Sequence, residues 1–171
     1  MALLSRRGLG CALVAGLLTG CGFRPMYGRS GGGAALSSVD VEPIPEREGQ
    51  LLRNALLDRF RPTGKTRHVL SATVRVSDAS LGIQSNDEAT LGRLTATAQW
   101  RLLTPTGDGR RRLDLQGTAR NSVVYNILDN QYATERNRRA ARADIADQLA
   151  SEIETRLGAY FARPDYRMPG F

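Results

Sequence analysis

The chain has 171 residues, of which 41% are hydrophobic, and a formal charge of +7. This length allows one compact domain with a core of its own. The positive charge favours anionic partners such as phosphates and lipid headgroups, although a genome that favours arginine codons would explain it equally well. Aromatic residues make up only 6% and do not alternate with arginine runs, so a nucleic-acid partner is not expected.

The N-terminus has the pattern of a lipoprotein signal peptide. Arg6 and Arg7 precede an apolar segment at 9–18, which is too short for a permanent transmembrane helix. The segment ends in Thr19-Gly20-Cys21, which resembles a bacterial lipobox. Cleavage there would leave Cys21 carrying a diacylglycerol group on its thiol and an acyl chain on its amine, and these chains together would form a firm membrane anchor.

The sequence therefore predicts a signal peptide at 1–20 and an acylated N-terminus with a flexible tether at 21–35. The tether ends in the spacer SGGGAA. Gly22, rather than an aspartate, follows Cys21, which favours the outer membrane over the inner one. The segment 5–9 also resembles a twin-arginine export signal, so the general secretory and twin-arginine routes both stay open.

The body of the chain begins with a strand at 36–44, which Pro43 and Pro45 end. A short amphipathic helix at 47–60 follows. Three segments then alternate between apolar and polar residues, as strands with one buried face do. Their apolar positions are Leu70, Ala72, Val74 and Val76; Leu94, Ala96, Ala98, Trp100 and Leu102; and Leu113, Leu115, Ala119, Val123 and Tyr125.

A long helix is predicted from about Tyr132 to Phe161, because apolar residues recur every four positions from Ala141 onward. Asn130 is a suitable N-cap, and Pro164 ends the helix. The order β-α-β-β-β-α predicts a two-layer α+β sandwich at 36–163, with two helices on one face of a four-stranded, mostly antiparallel sheet. A C-terminal tail at 164–171 would follow.

The other face of this sheet is polar and rich in threonine, glutamine and arginine. It includes Arg112, Asp114 and Gln116 on the third alternating segment. Such a face is either solvated or meets another polar surface, which threonine and glutamine can hydrogen-bond without a large desolvation penalty.

The residues that would carry catalysis are missing from the sequence. Gly64-Lys65-Thr66 resembles the end of a phosphate-binding loop, but Arg59 stands where that loop needs a glycine. The two cysteines, Cys11 and Cys21, both lie near the N-terminus, and the single histidine, His68, is interpreted as a side chain at a strand start. We therefore expect no enzyme activity, no cofactor and no metal site.

Two segments resemble the alphaproteobacterial lipopolysaccharide-assembly lipoprotein family, LptE. These are CGFRPMYG at 21–28 and the closing helix with its tail at 132–163, YATERNRRAARADIADQLASEIETRLGAYFAR. The resemblance implies an outer-membrane lipoprotein whose domain faces the periplasm and the lumen of the LptD β-barrel. Such a protein assists the assembly of that barrel, plugs it and binds lipopolysaccharide. The resemblance carries no catalytic residue.

The turn signal at 105–109 predicts that the second and third alternating segments pair as a hairpin. Arginine forks bind phosphate and carboxylate groups well, so the arginines of the polar face and of the tip of this hairpin are candidate lipopolysaccharide contacts. They are Arg75, Arg93, Arg101, Arg112 and Arg120 on the face, and Arg110 and Arg111 at the tip. For any one of these residues taken singly, a solvated surface arginine is the favoured explanation. The alternative function is a different periplasmic lipoprotein, for example an adaptor in phospholipid transport; a lipid-modifying enzyme is not favoured.

Overall fold

The computed structural model describes residues 32–83 and 89–169. Its elements are α1 (Gly32–Leu36), β1 (Val39–Val41), α2 (Glu46–Phe60), β2 (His68–Ile83), β3 (Ala89–Pro105), β4 (Arg111–Asn126) and α3 (Gln131–Phe161). The sheet order is β1-β2-β3-β4, with β1 parallel to β2 and the other neighbours antiparallel. The predicted signal peptide, Cys21 and most of the tether lie outside the described residues.

The predicted α+β fold is confirmed, because both long helices pack on one face of a mostly antiparallel four-stranded sheet. We call this the inner face. Leu52 and Leu56 of α2 and Ile153 and Leu157 of α3 are fully buried there, and the apolar side chains of the strands that they cover form a single core. The strand residues in that core are Val39, Val41, Leu70, Ala72, Leu94, Ala96, Ala98, Trp100, Leu102, Ala119 and Tyr125.

The first strand is shorter than predicted. A short helix, α1, ends at Leu36, and the strand covers only Val39–Val41. Ala35 and Leu36 are buried in the core, and the side chain of Ser38 donates a hydrogen bond to the carbonyl of Ala35 at 2.7 Å. The last residues of the predicted flexible spacer are therefore helical, because burying Ala35 and Leu36 favours this turn of helix.

The predicted alternation is wrong at the start of β4, because the strand contains a β-bulge there. The pairing shifts between Leu102, which lies opposite Leu115, and Leu103, which lies opposite Leu113, so Asp114 is an extra residue. Leu113, predicted to be buried, is 48% exposed. Arg112 and Asp114 were predicted on the polar face, but they lie on the side of the sheet that faces the helices. There, Arg112 is the strand partner of the buried Thr104 in β3.

The long helix begins where its N-cap was predicted. The side-chain oxygen of Asn130 accepts hydrogen bonds from the backbone N–H groups of Tyr132 and Ala133, at 2.9 and 3.3 Å. Across the helix pair, Arg59 of α2 forms ion pairs with Asp147 and Glu154 of α3. These contacts fix the two helices to each other above the sheet.

Candidate functional site on the outer face of the sheet

Alternate residues of β2, β3 and β4 point away from the helices and form what we call the outer face. All residues are polar in its four central rows, which run from Ser71, Arg101 and Gln116 to Ser77, Thr95 and Ser122. Most of these side chains are exposed, and Thr95 and Thr97 in the central strand are half-buried. The members are Ser71, Thr73, Arg75, Ser77 and Ala79; Arg93, Thr95, Thr97, Gln99 and Arg101; and Gln116, Thr118, Arg120, Ser122 and Val124.

The outer face carries four arginines and no acidic residue over these three strands. Arg75 and Arg120 flank Thr97 in a single row. Because neighbouring strands lie about 4.8 Å apart, the backbones of the two arginines are about 10 Å apart. Within the described chain, Arg75, Arg93, Arg101 and Arg120 form no ion pair and no side-chain hydrogen bond, so their charges are available to a partner.

The outer face is concave beside Arg101. A hollow of about 510 Å³ is lined there by hydroxyl and amide side chains, which can both donate and accept hydrogen bonds. Gly117 lies at its edge, and a Cβ at this position would come within 2.7 Å of the Trp100 ring on the inner face. The polar lining consists of Ser71, Thr73, Gln99, Arg101, Gln116 and Thr118.

Toward the end of β2 and the start of β3, the outer face becomes apolar. Leu91 is 36% exposed and Val124 is 49% exposed, and Arg93 lies directly opposite Val124. The outer face therefore has arginines and hydrogen-bonding groups in its central rows and apolar groups toward both ends, since Leu113 at the opposite end is 48% exposed.

A family model described as LptE, lipopolysaccharide-assembly, matches residues 36–157. The chain belongs to this family. The resemblance seen in the sequence is thereby confirmed, and so is the prediction that the chain is not an enzyme, because this is a family of non-enzymatic lipopolysaccharide-assembly lipoproteins.

Individual relatives agree with this assignment. The chain is 25% identical to a putative lipoprotein from Caulobacter crescentus, with a TM-score of 0.65 over 79% of this chain and 98% of the other. It is 24% identical over 148 residues to an uncharacterised protein of Rickettsia prowazekii, which covers 86% of this chain and 92% of that protein. Lipoprotein B from Nitrosomonas europaea shares the fold, with a TM-score of 0.54 at 15% identity over 81% of this chain and 92% of the other.

The predicted contact arginines of this family member fall into two groups: four on the outer face, and three at or near the hairpin tip that each lie close to an acidic residue. Arg75, Arg93, Arg101 and Arg120 share the outer face. At the hairpin tip, the side chain of Arg110 is 87% exposed and lies 3.7 Å from Asp108. Arg111 reaches Glu42 at 2.5 Å, and Arg112 forms an ion pair with Asp114 at 2.9 Å, on the helix side of the bulge.

A buried polar cluster around His68 was missed by the sequence analysis. Nδ1 of His68 lies 2.8 Å from the Thr104 hydroxyl and 3.3 Å from Asp114, and Nε2 lies 2.8 Å from the Tyr166 hydroxyl. The Thr104 hydroxyl in turn donates to Asp114. A neutral ring satisfies this arrangement if Nδ1–H donates to Thr104 and Tyr166 donates to Nε2.

The electrostatics of the cluster agree with a neutral histidine. Burial lowers the pKa of His68 and outweighs the attraction of Asp114. Burial also raises the pKa of Tyr166 to about 12, so its hydroxyl keeps its proton. With only 1% of its surface exposed, the His68 ring is inaccessible to a substrate, and its hydrogen bond to Tyr166 fixes the C-terminal segment to the sheet.

The described part of the chain contains neither a cluster of metal ligands nor a long apolar helix. No group of three or more histidine, cysteine, aspartate and glutamate side chains is placed to hold a metal ion there. None of its helices combines the length and the apolar character that a membrane span requires.

Proposed function

We propose that this family member is an outer-membrane lipoprotein, acylated at Cys21, that assists assembly of an LptD-like β-barrel and plugs it. We also propose that it binds lipopolysaccharide while the lipopolysaccharide is delivered to the cell surface. The observation that carries the proposal is the outer face, where four arginines without acidic neighbours share one uncovered surface.

A barrel lumen and a saccharide surface are both polar and wet, so their partner needs hydrogen-bonding groups rather than apolar ones. The hollow beside Arg101 supplies such groups. The guanidinium groups of Arg75 and Arg120 supply forked donors for phosphate or carboxylate groups. Leu91 and Val124, at one end of the outer face, add exposed apolar side chains that can contact uncharged parts of such a partner.

Crosslinking in living cells tests this proposal. A photoreactive amino acid replaces Gln99 in the centre of the outer face, and the matched control carries it at Gln148, an exposed position on α3. We expect the Gln99 position to capture a large outer-membrane barrel and lipopolysaccharide, and the Gln148 position to capture neither. Equal capture from both positions would contradict the proposal, and capture of a soluble periplasmic protein at Gln99 would favour an adaptor role instead.

A further inference from the structure

The end of the sheet where the chain enters the described structure has a surface distinct from the outer face. The carbonyl of Ser38 accepts hydrogen bonds from the backbone N–H groups of Arg67 and His68, and the Ser37 carbonyl accepts one from Thr63. The loop 61–67, the hairpin tip 105–110 and the C-terminal segment 162–169 therefore lie together at this end. We call it the basal end.

The basal end is strongly basic. Its three segments contain six basic residues and two acidic ones. They are Arg61, Lys65, Arg67, Arg110, Arg163 and Arg167, against Asp108 and Asp165. A surface with this balance attracts anionic lipid headgroups, to which each basic side chain contributes about 1 kcal/mol.

A hollow of about 300 Å³ opens at the basal end between the C-terminal segment and β4. We call it the basal hollow. Its floor is aromatic, since the rings of Tyr160 and Tyr166 lie edge to face with centroids 5.5 Å apart. Arg112, Arg163 and Arg167 line it, together with Asp165.

The arginines of the basal hollow keep donors available. Arg112 uses its Nε to bind Asp114 at 2.9 Å, which leaves its terminal nitrogens for another acceptor. The guanidinium group of Arg163 lies 5.4 Å from the centre of the Tyr160 ring, so its N–H edges stay open. Within the described residues, the Arg167 side chain makes no ion pair or hydrogen bond.

The acid closest to these arginines is already occupied. The Asp114 side chain is 3% exposed and is bound by Arg112, Thr104 and His68. Asp165 is exposed and leaves an excess of positive charge in the basal hollow. An incoming phosphate group would therefore meet arginine forks.

The position of the basal end relative to Cys21 supplies the second argument. Even if fully extended, the segment between Cys21 and Gly32 spans at most about 40 Å. If Cys21 is acylated, as the proposed function assumes, the chain emerges from the membrane within this distance of α1, which leads directly into the basal end.

We propose that the basal hollow and the basic loops around it bind phosphate groups of anionic phospholipids, so that the basal end lies on the membrane that holds the anchor. The outer face is then left for its own partners. The contact is electrostatic, and it acts in addition to the acyl chains rather than replacing them.

Fluorescence quenching on vesicles tests this inference. The acylated mature protein has no thiol beyond the blocked Cys21, so Gly107→Cys adds a single label site at the hairpin tip, where a Cβ meets no neighbouring atom. Asp129→Cys at the far end of the sheet is the matched control. Each labelled protein is reconstituted into phosphatidylcholine vesicles that carry headgroup quenchers, with or without about 30 mol% phosphatidylglycerol.

With phosphatidylglycerol in the vesicles, we expect quenching of the label at position 107 but not of the label at position 129. We expect no quenching at position 107 without phosphatidylglycerol, and loss of the quenching in about 0.5 M salt. Arg163→Glu with Arg167→Glu should weaken the docked state at least about thirtyfold. The conservative pair Arg163→Gln with Arg167→Gln should weaken it less, and the equally charged control Arg47→Glu with Arg136→Glu, at exposed helix positions, should preserve it. Thermal melting checks that all variants are folded.

Several outcomes would overturn the inference. Equal quenching in neutral vesicles, or equal loss in the two charge-reversed pairs, would exclude a specific basal contact. If inorganic phosphate at matched ionic strength abolishes docking, the basal hollow takes free phosphate rather than lipid. Because the vesicles contain neither lipopolysaccharide nor a barrel, these results are independent of the crosslinking test. Failure to insert into neutral vesicles would instead contradict acylation at Cys21.

Discussion

The arginines of the two helices and those of the outer face have opposite surroundings. On the helices, Arg59 binds Asp147 and Glu154, and Arg156 binds Glu152. On the outer face, Arg75 and Arg120 lie among threonine, serine and glutamine, with no acidic neighbour among the residues that the structure describes. The difference indicates that Arg59 helps to hold the two helices together, whereas the outer-face arginines are available for binding.

The largest expected effect on stability distinguishes a leucine on the inner face of the sheet from a leucine on the opposite face. Leu102→Ala removes a fully buried inner-face side chain and should lower the free energy of unfolding by about 3 kcal/mol. Leu113→Ala, on the other side of the bulge, should lower it by less than about 1 kcal/mol. Urea denaturation of both variants measures this, and equal losses would contradict the register shift at Asp114.

The helix arginine Arg59 should show the next largest effect. Arg59→Ala leaves the carboxylate of Glu154, whose side chain is 11% exposed, without its partner, and should lower the free energy of unfolding by about 2 kcal/mol. Glu154→Gln in the same background should restore part of this loss. Arg75→Ala, measured in parallel, should change the stability little. If both arginines prove equally dispensable, the distinction between them fails.

A smaller effect is expected from the pH dependence of the His68 cluster. The folded pKa of His68 lies below the value of about 6.5 expected in the unfolded chain. Its contribution to stability is therefore complete above about pH 6.5 and decreases as the pH falls through the folded pKa. Urea denaturation at several pH values should show that wild-type protein loses more stability on acidification than His68→Gln, whereas parallel profiles would contradict a buried neutral histidine.

Local periodicity predicted much of this fold. The alternation in β2 and β3 and the four-residue spacing in α3 assign inner and outer positions without knowledge of any partner strand. For that reason Arg75, Arg93, Arg101 and Arg120 could be placed together from the sequence.

The remaining features depend on contacts between residues that are distant in the sequence. The bulge at Asp114 appears only when β4 is paired with β3. His68 binds Thr104 and Tyr166, which are 36 and 98 positions away, and Arg59 binds Asp147, 88 positions away. No local pattern of residue types reveals such pairs, so the basal hollow and the helix ion pairs could not be predicted.

Removing two arginines from the outer face should have the smallest effect on stability and the most direct effect on lipopolysaccharide binding. The double variant Arg75→Ala with Arg120→Ala is compared with Arg47→Ala and Arg136→Ala, which removes the same charge from exposed helix positions. Both purified mature proteins should unfold within about 0.5 kcal/mol of the wild type. We expect the lipopolysaccharide affinity to fall at least about tenfold in the outer-face variant and to stay unchanged in the helix variant. Equal affinities in the two variants would contradict the central claim that the outer face is the binding surface.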